Sequence, residues 1–290
     1  MKAVAVELRG GLGNQMFQYA AGLALARRAG CGLVLDATAF RRDRKRLYAL
    51  DQWGIDGPLI RERTRRRWFE TLDCRRAPGS WLRGLGLVGA VYAEPHFHYD
   101  EQLWQQRPPV LLKGYWQSYR YLEGVEAELR AAFRPRASWP QQAQAIRARL
   151  EAPATVAIHI RRGDYVSDPA ANAMHGVCEP DYFLRALDRL RANGCIGEVF
   201  VFTDDPDWAA QHFLPRVGGT LVSGDKLLDD AQELWLMSRA AHHIIANSSF
   251  SWWAAWLGCK DGQLVVAPKR WFADASRGTS DLLPTEWIRL

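Results

Sequence analysis

The sequence predicts an α/β protein of two doubly wound lobes, each built on a parallel sheet. Three observations lead there. Short β-branched runs alternate with stretches of helical periodicity, the alternation breaks and restarts near 135–153, and polar clusters fall where strands end. The 290 residues give room for two medium units, and 48% hydrophobic with 24% charged residues is the balance of a globular chain.

The elements follow in order. "AVAVEL" (3–8) is a strand, "RGGLGNQ" a glycine-rich loop, and "MFQYAAGLALARRAG" a helix closing at Gly30. "GLVLD" (32–36) is a second strand ending in Asp36, so the chain opens with a βαβ unit and hence a parallel sheet. From 40 to 110 the pattern is irregular and only short helices are expected. "VLLKGYWQS" (110–118) reads as strand and turn, and "YLEGVEAELRAAF" (121–133) as an amphipathic helix. "RPRASWP" (134–140) interrupts, a helix covers 141–151, and "ATVAIHI" (154–160) starts a fresh strand. The expected division is therefore 1–150 and 151–290. The second lobe continues with a helix at 181–194, a strand at 198–205 ending in two carboxylates, a helix from "DPDWAAQHF" and a short strand "GTLVSG". A helix at 229–241, the strand and polar turn "HHIIANSS" (242–249), the helix "FSWWAAWLG" and a last strand "QLVVAP" (263–268) complete it.

Charge limits the partners. A net charge of +6 and pI near 9.2 favour anionic company, with the excess gathered in "RRDRKR" (41–46) and "RERTRRRW" (61–68). These clusters read as a solvated face or as a contact for an anionic membrane surface. Nucleic acid is not expected, because the thirteen tryptophans are not interleaved with the basic residues. No apolar run approaches the roughly 18 residues of a bilayer span, and the first residues do not read as a signal peptide, so a cytoplasmic location is expected. Cys31, Cys74, Cys178, Cys195 and Cys259 are widely spaced and read as buried free thiols. No metal centre is expected.

The chemistry-bearing residues gather at carboxyl ends of strands, where open α/β sheets hold their ligands. In "GGLGNQ" the glycines, Gly11 and Gly13 among them, let main-chain N–H groups approach a ligand, and Asn14 and Gln15 offer amides suited to sugar hydroxyls. Tight-turn packing is the alternative. In "HIRRGDY", Arg161 and Arg162 suit a diphosphate. Neighbours leaving a strand diverge, so one arginine should face the ligand while the other pairs with Asp164 or the lobe interior. His159 shares the face of Arg161 and is placed for a base or ribose. "NSSFSWW" brings Asn247, Ser248, Ser249 and Phe250 to a helix start, a seat for phosphate, and Glu233 precedes it as an acceptor for guanine N–H groups.

"GGLGNQMFQYA", "HIRRGDY" and "IIANSSFSWWAAWLG", in that order, with "MHGVCEPDYFLRAL" between the last two, resemble the bacterial α-1,2-fucosyltransferases of glycosyltransferase family 11. The animal galactoside 2-α-fucosyltransferases are more distant kin. The resemblance implies a GT-B type fold of two facing Rossmann-like lobes, GDP-β-L-fucose as donor, inversion at the anomeric carbon and no metal. It implies that Arg161 grips the diphosphate, that His159 and Glu233 meet guanine, that Ser248 and Ser249 meet phosphate, and that Asn14 and Gln15 face the fucosyl group and acceptor. A general base is not singled out among Asp164, Asp168, Asp36, Asp204 and Glu179. The expected partner is an oligosaccharide with a galactose-type terminus, lipid-linked in surface polysaccharide (O-antigen) assembly at the inner face of the plasma membrane. Two other readings stay open: another nucleotide sugar or a protein hydroxyl acceptor, and a non-catalytic binder of anionic surfaces.

Overall fold

The computed structural model describes residues 3–43, 45–60, 89–195, 197–224, 228–274 and 277–290. The chain forms two compact units, Met1–Ala132 with Thr279–Leu282, and Phe133–Gly278 with Leu283–Leu290.

The first unit begins as the periodicity predicts, with β1 (Ala3–Glu7), α1 (Leu12–Arg28) and β2 (Gly32–Asp36). It adds β3 (Ala90–Ala93), β4 (Val110–Lys113) and α2 (Glu126–Ala132). The strands lie in the order β2-β1-β4-β3, all parallel. Every residue of β1 is buried, and so is α1 over nearly its whole length to Ala26. The helix presses close to the sheet at Gly22, where a Cβ would lie 2.8 Å from Leu33 Cδ1 and 3.2 Å from Val6 Cβ. A methyl group there would push the Leu33 side chain aside and crowd Val6.

The second unit contains α3 (Gln141–Leu150), β5 (Val156–Ile160), α4 (Gly163–Ser167), α5 (Pro169–His175), α6 (Pro180–Arg191) and β6 (Val199–Thr203). It continues with β7 (Thr220–Leu221), α7 (Asp230–Met237), β8 (His242–Ile244), α8 (Ser249–Leu257), β9 (Val265–Ala267) and β10 (Ile288–Arg289). All six strands are parallel, in the order β10-β9-β8-β5-β6-β7. The chain builds outward from β5 through β6 to β7, then returns to the other side of β5 for β8, β9 and β10. That reversal between β5 and β8 is the topological switch point of a Rossmann sheet. Val156, Ile158, Phe183, Leu187, Val201, Phe213 and Ile244 form its buried apolar centre.

Several expectations need correction. The boundary falls after Ala132, not at 150, because α3 belongs to the second unit: Arg149 pairs with Glu198 and Gln232 Nε2 donates to Ser138 O at 3.0 Å. β3 lies in the segment expected to hold only short helices, and β10 follows the strand expected to be last. "GDYVS" and "PAANAMH", to which the sequence pattern assigns no element, are short helices, the second capped by Asp168. The helix expected from Asp205 is present, with the Asp205 side chain accepting the Trp208 N–H, but it widens over Ala209–Phe213 ahead of Pro215, which has no N–H for the helical ladder, and runs on to Val217. Cys31, Cys178, Cys195 and Cys259 are free, but only Cys195 is buried. "RERTRRRW" and Cys74 lie outside the described residues, whereas Arg41, Arg42 and Lys45 of the other basic cluster are exposed. No helix among the described residues is long and apolar enough to cross a membrane.

Candidate functional site

The carboxyl end of β5 delivers Arg161 into a cluster of carboxylates. Its Nη1 lies 2.9 Å from Asp204 Oδ2, and its Nη2 donates to Asp164 Oδ1. Asp204 stands at the carboxyl end of neighbouring β6, and its Oδ1 also accepts the Arg162 N–H at 2.8 Å. Gly163 makes this approach possible, since a Cβ there would sit 2.4 Å from Asp204 Oδ2. Arg162 diverges as a strand exit requires. Its Nε pairs with Asp205 Oδ2 at 3.1 Å and its guanidinium lies 3.9 Å above the Trp208 ring. Asp164 therefore belongs to Arg161, not to the second arginine as expected, because the backbone turns straight into α4 and brings residue 164 back under 161. Burial works against the charge of Arg161, but Asp204 and Asp164 outweigh it and raise its pKa above the ordinary value. Two guanidiniums thus face three carboxylates, and an anion here needs further positive potential.

That potential lies at the adjacent switch-point strand. β8 leads into the nine-residue α8, whose N-cap Ser248 is extended and makes no side-chain cap bond. A helix start leaves N–H groups without intrahelical partners and carries the positive end of the dipole. His159, on β5, is buried with its ring 5.5 Å from that of Phe250. Burial, aided by Arg161, pushes its pKa down to about 3, so the imidazole is neutral. Its Nδ1 has no hydrogen-bond partner among the described residues. A neutral imidazole with an unsatisfied nitrogen suits a polar ligand group.

Asn247 is a correction. Its Nδ2 donates to His175 O at 2.8 Å and Trp271 O at 3.1 Å, and its Oδ1 accepts from Cys178 Sγ at 3.5 Å. The side chain is committed to clamping three loops, not to a donor. Glu233, on α7, takes the hydroxyl of Ser223 at 2.5 Å, while Ser223 Oγ accepts the Thr203 N–H at 2.9 Å. Burial raises the Glu233 pKa to about 7, with Asp230 and Asp204 adding to the effect.

In the first unit the glycine-rich loop is lashed by amides. Gly10 is the residue that needs its glycine: it holds φ +74°, and a Cβ would lie 2.5 Å from Asn14 Nδ2. Gly11 has ordinary φ −74° with only Arg46 near its open side, and Gly13 is buried within α1. Gln15 is a second correction. Fully buried, it donates to Gly10 O at 2.9 Å and Leu47 O at 2.8 Å and accepts the Ala49 N–H at 2.9 Å, so its amide is spent on the main chain. Asn14 accepts from Gln117 Nε2 at 2.6 Å. Gln18, which sequence reasoning passed over, takes the Arg9 N–H at 2.9 Å and donates to Gly114 O at 3.1 Å, tying the exits of β1 and β4 together. Ser223 and Glu94 were also missed. Ser223 closes the short strand "GTLVSG", where a strand-end reading was available, whereas Glu94 sits in the irregular segment with no periodicity to flag it. Among the described residues no group of His, Cys, Asp or Glu is arranged to hold a metal.

A sheet in this strand order, with an arginine and a helix start at its reversal, is the ligand-holding arrangement of nucleotide-binding α/β proteins. The family model described as "Glycosyl transferase family 11" matches residues 106–290. An α-1,2-colitosyltransferase of Escherichia coli is 31% identical over 100% of this chain and 99% of its own length. The O-antigen biosynthesis glycosyltransferase WbnK of Escherichia coli is 30% identical over 98% of this chain and 99% of its own. The galactoside 2-α-L-fucosyltransferase Sec1 of Mus musculus is 25% identical over 87% of this chain and 63% of its own. Among solved structures, NodZ α-1,6-fucosyltransferase soaked with GDP-fucose aligns with TM-score 0.47 at 16% identity, covering 89% of this chain and 93% of that one. The chain belongs to glycosyl transferase family 11, and its activity is glycosyl transfer.

Proposed function

We propose that the protein moves L-fucose from GDP-β-L-fucose to the 2-hydroxyl of a galactose-type sugar in a bacterial surface glycan, with inversion and without a metal. The observation that carries the reading is the placement of Arg161 and the start of α8 after the adjacent strands β5 and β8, at the reversal of the second sheet. In this reading the diphosphate lies against the helix start and one edge of the Arg161 fork, Ser248 and Ser249 meet phosphate, and Glu233 accepts the guanine N–H groups beside His159. Asp204 is locked by the Arg162 N–H and by Gly163, whereas Asp164 rides on a five-residue helix and is 34% exposed. The incoming diphosphate therefore displaces Asp164 from Arg161, and Asp204 keeps the guanidinium aimed.

The bond from the anomeric carbon to phosphate breaks with its electrons moving onto GDP, so negative charge on the leaving group peaks after the transition state is approached. A fixed guanidinium and fixed N–H dipoles stabilise that charge more than they stabilise the intact donor. Colitose is the 3-deoxy analogue of fucose, and the 31% identical colitosyltransferase supports GDP-colitose as the second donor to weigh. The membrane contact of Arg41, Arg42 and Lys45 and a lipid-linked acceptor belong to the same proposal.

The test is turnover with GDP-fucose, GDP-colitose and GDP-mannose against a panel of β-galactosides, with excess chelator, followed by linkage analysis. A 1,2-linked fucosyl product in chelator is expected. Preference for GDP-colitose corrects the donor; preference for GDP-mannose, or loss of transfer in chelator, overturns the reading.

A further inference from the structure

Among the described residues, burial pushes two carboxyls up to about 7, Glu94 in the first unit and Glu233 in the second. They are held differently. Glu94 has both oxygens on main-chain N–H groups: Oε2 accepts from Tyr115 at 2.7 Å and Oε1 from Trp116 at 3.0 Å. Glu233 is held by one hydroxyl, that of Ser223, and its Oε2 has no hydrogen-bond partner among the described residues. The backbone that carries Glu233 is fixed. Asp229 and Gln232 close a capping box over the first turn of α7, and Gln232 reaches on to Ser138 O. The aim of the carboxylate therefore depends on Ser223.

The Ser223 hydroxyl is itself aimed. β7 has only two residues, and its ladder to β6 ends with the Val222 N–H on Val201 O at 2.9 Å. The next N–H on that side of β6, at Thr203, meets Ser223 Oγ at 2.9 Å in place of a carbonyl. An N–H only donates, so the oxygen must accept there, and the one proton of the hydroxyl is left for Glu233 Oε1 at 2.5 Å. Thr203 and Ser223 are both buried. A hydroxyl fixed in this sense favours the ionised carboxyl and opposes burial, Asp230 on the same helix and Asp204 at the exit of β6, all of which favour the protonated one. The helices packed on α7 bring no cation to it: α8 has no charged residue, and on α3 Arg147 lies over the Trp235 ring while Arg149 pairs with Glu198.

We infer that Ser223 is the positioning residue for base recognition: its hydroxyl, aimed by the Thr203 N–H, holds the Glu233 carboxylate as an acceptor whose free Oε2 and remaining Oε1 lone pair meet the two N–H groups of a guanine edge. The inference rests on the reading above in which Glu233 meets guanine. Adenine offers a ring-nitrogen acceptor where guanine offers a donor, so a carboxylate fixed in this form repels it.

The experiment titrates guanosine and adenosine into the full chain by calorimetry from pH 6 to 8.5, for wild type, Ser223→Ala, Ser223→Cys and Ser223→Thr, with thermal melting of each. Wild-type affinity rises through pH about 7 and favours guanosine by about tenfold or more. Ser223→Ala moves the midpoint of the rise up by about one pH unit, so guanosine binds about fivefold more weakly at pH 7. Ser223→Thr, which keeps the hydroxyl, keeps the wild-type midpoint. Ser223→Cys, a weak donor of similar shape, moves the midpoint as alanine does and carries the test if the alanine variant does not fold. In a Glu233→Ala background, Ser223→Ala changes GDP affinity at pH 7 by less than about twofold, which a serine with a merely structural role would not do. A wild-type midpoint and affinity without the hydroxyl overturn the inference and leave the guanine reading standing, as does an undiminished loss in the Glu233→Ala background. A wild-type protein that binds adenosine as well as guanosine, or guanosine equally across this pH range, overturns the guanine reading itself.

Discussion

Lowering the pH from 8 to 6 should weaken the binding of guanosine about tenfold, and the reason lies in Glu233. A guanine edge presents N–H donors, so the carboxyl must be ionised to accept both. In the unliganded protein burial holds its pKa at about 7. About nine-tenths of the molecules are then ionised at pH 8 and about one-tenth at pH 6, which is a tenfold loss of binding-competent protein, or about 1.4 kcal/mol. Guanosine is the right probe because it has no phosphate to titrate in this range. Calorimetry across pH 6 to 8, in buffers of different ionisation enthalpy, reads both the affinity and the proton released on binding. Glu233→Gln binds more weakly and loses the pH dependence, while its amide oxygen still accepts the Ser223 hydroxyl. The same shift acts on folding with the opposite sign. A carboxyl whose pKa is raised in the folded state favours folding at low pH, and that contribution is lost as pH rises through about 7. Unliganded Glu233→Gln therefore gains melting temperature relative to wild type above pH 7. A flat affinity between pH 6 and 8, or an equal slope in the variant, removes Glu233 from guanine recognition.

Arg161→Ala should reduce kcat by roughly two to three orders of magnitude, the scale for deleting one fixed donor to a developing anion, and steady-state kinetics at saturating donor checks it. Gly163→Ala forces Asp204 away from both Arg162 N–H and Arg161, so it should cost about 1–3 kcal/mol in urea unfolding and raise the donor KM together. Gln15→Ala strands Gly10 O, Leu47 O and the Ala49 N–H; a stability loss of about 1–3 kcal/mol with unchanged GDP affinity separates its scaffold role from donor binding. His159 should show no titration between pH 5 and 8 in ring-proton NMR, because its pKa is pushed down to about 3.

The strands and helices with clear period were legible. β1, α1 and β2 stand where "AVAVEL", the alanine-rich helix and "GLVLD" put them, and the exits of β5 and β8 carry the clusters that sequence reasoning marked. The limits were those of local pattern. β3 has only four residues, alternately half-buried and exposed, and β10 has two, too few to show a period. Amide side chains misled for a physical reason. Asn, Gln and Ser serve a ligand or the protein's own backbone with the same atoms, and nothing local tells which. Gln15 and Asn247 turned inward because the loops they clamp carry main-chain groups that secondary structure leaves unpaired. The partner of Arg161 was also invisible, since Asp204 lies 43 residues away and is brought near by the parallel pairing of β5 with β6.

Residues 279–282 have a bearing on how this protein can be dissected. They belong to the first unit, where Asp281 O accepts from Ser118 and its carboxylate accepts the Tyr99 N–H, yet the last eight residues return to the second unit and supply its edge strand. The polypeptide passes from one unit to the other three times. No single cut yields two self-sufficient fragments: a clone ending near residue 132 lacks the tetrapeptide that staples its own loops, and one starting at 133 carries that tetrapeptide with nothing to receive it. Fragment co-expression, with the tail covalently intact, is the form in which either half should be asked to fold.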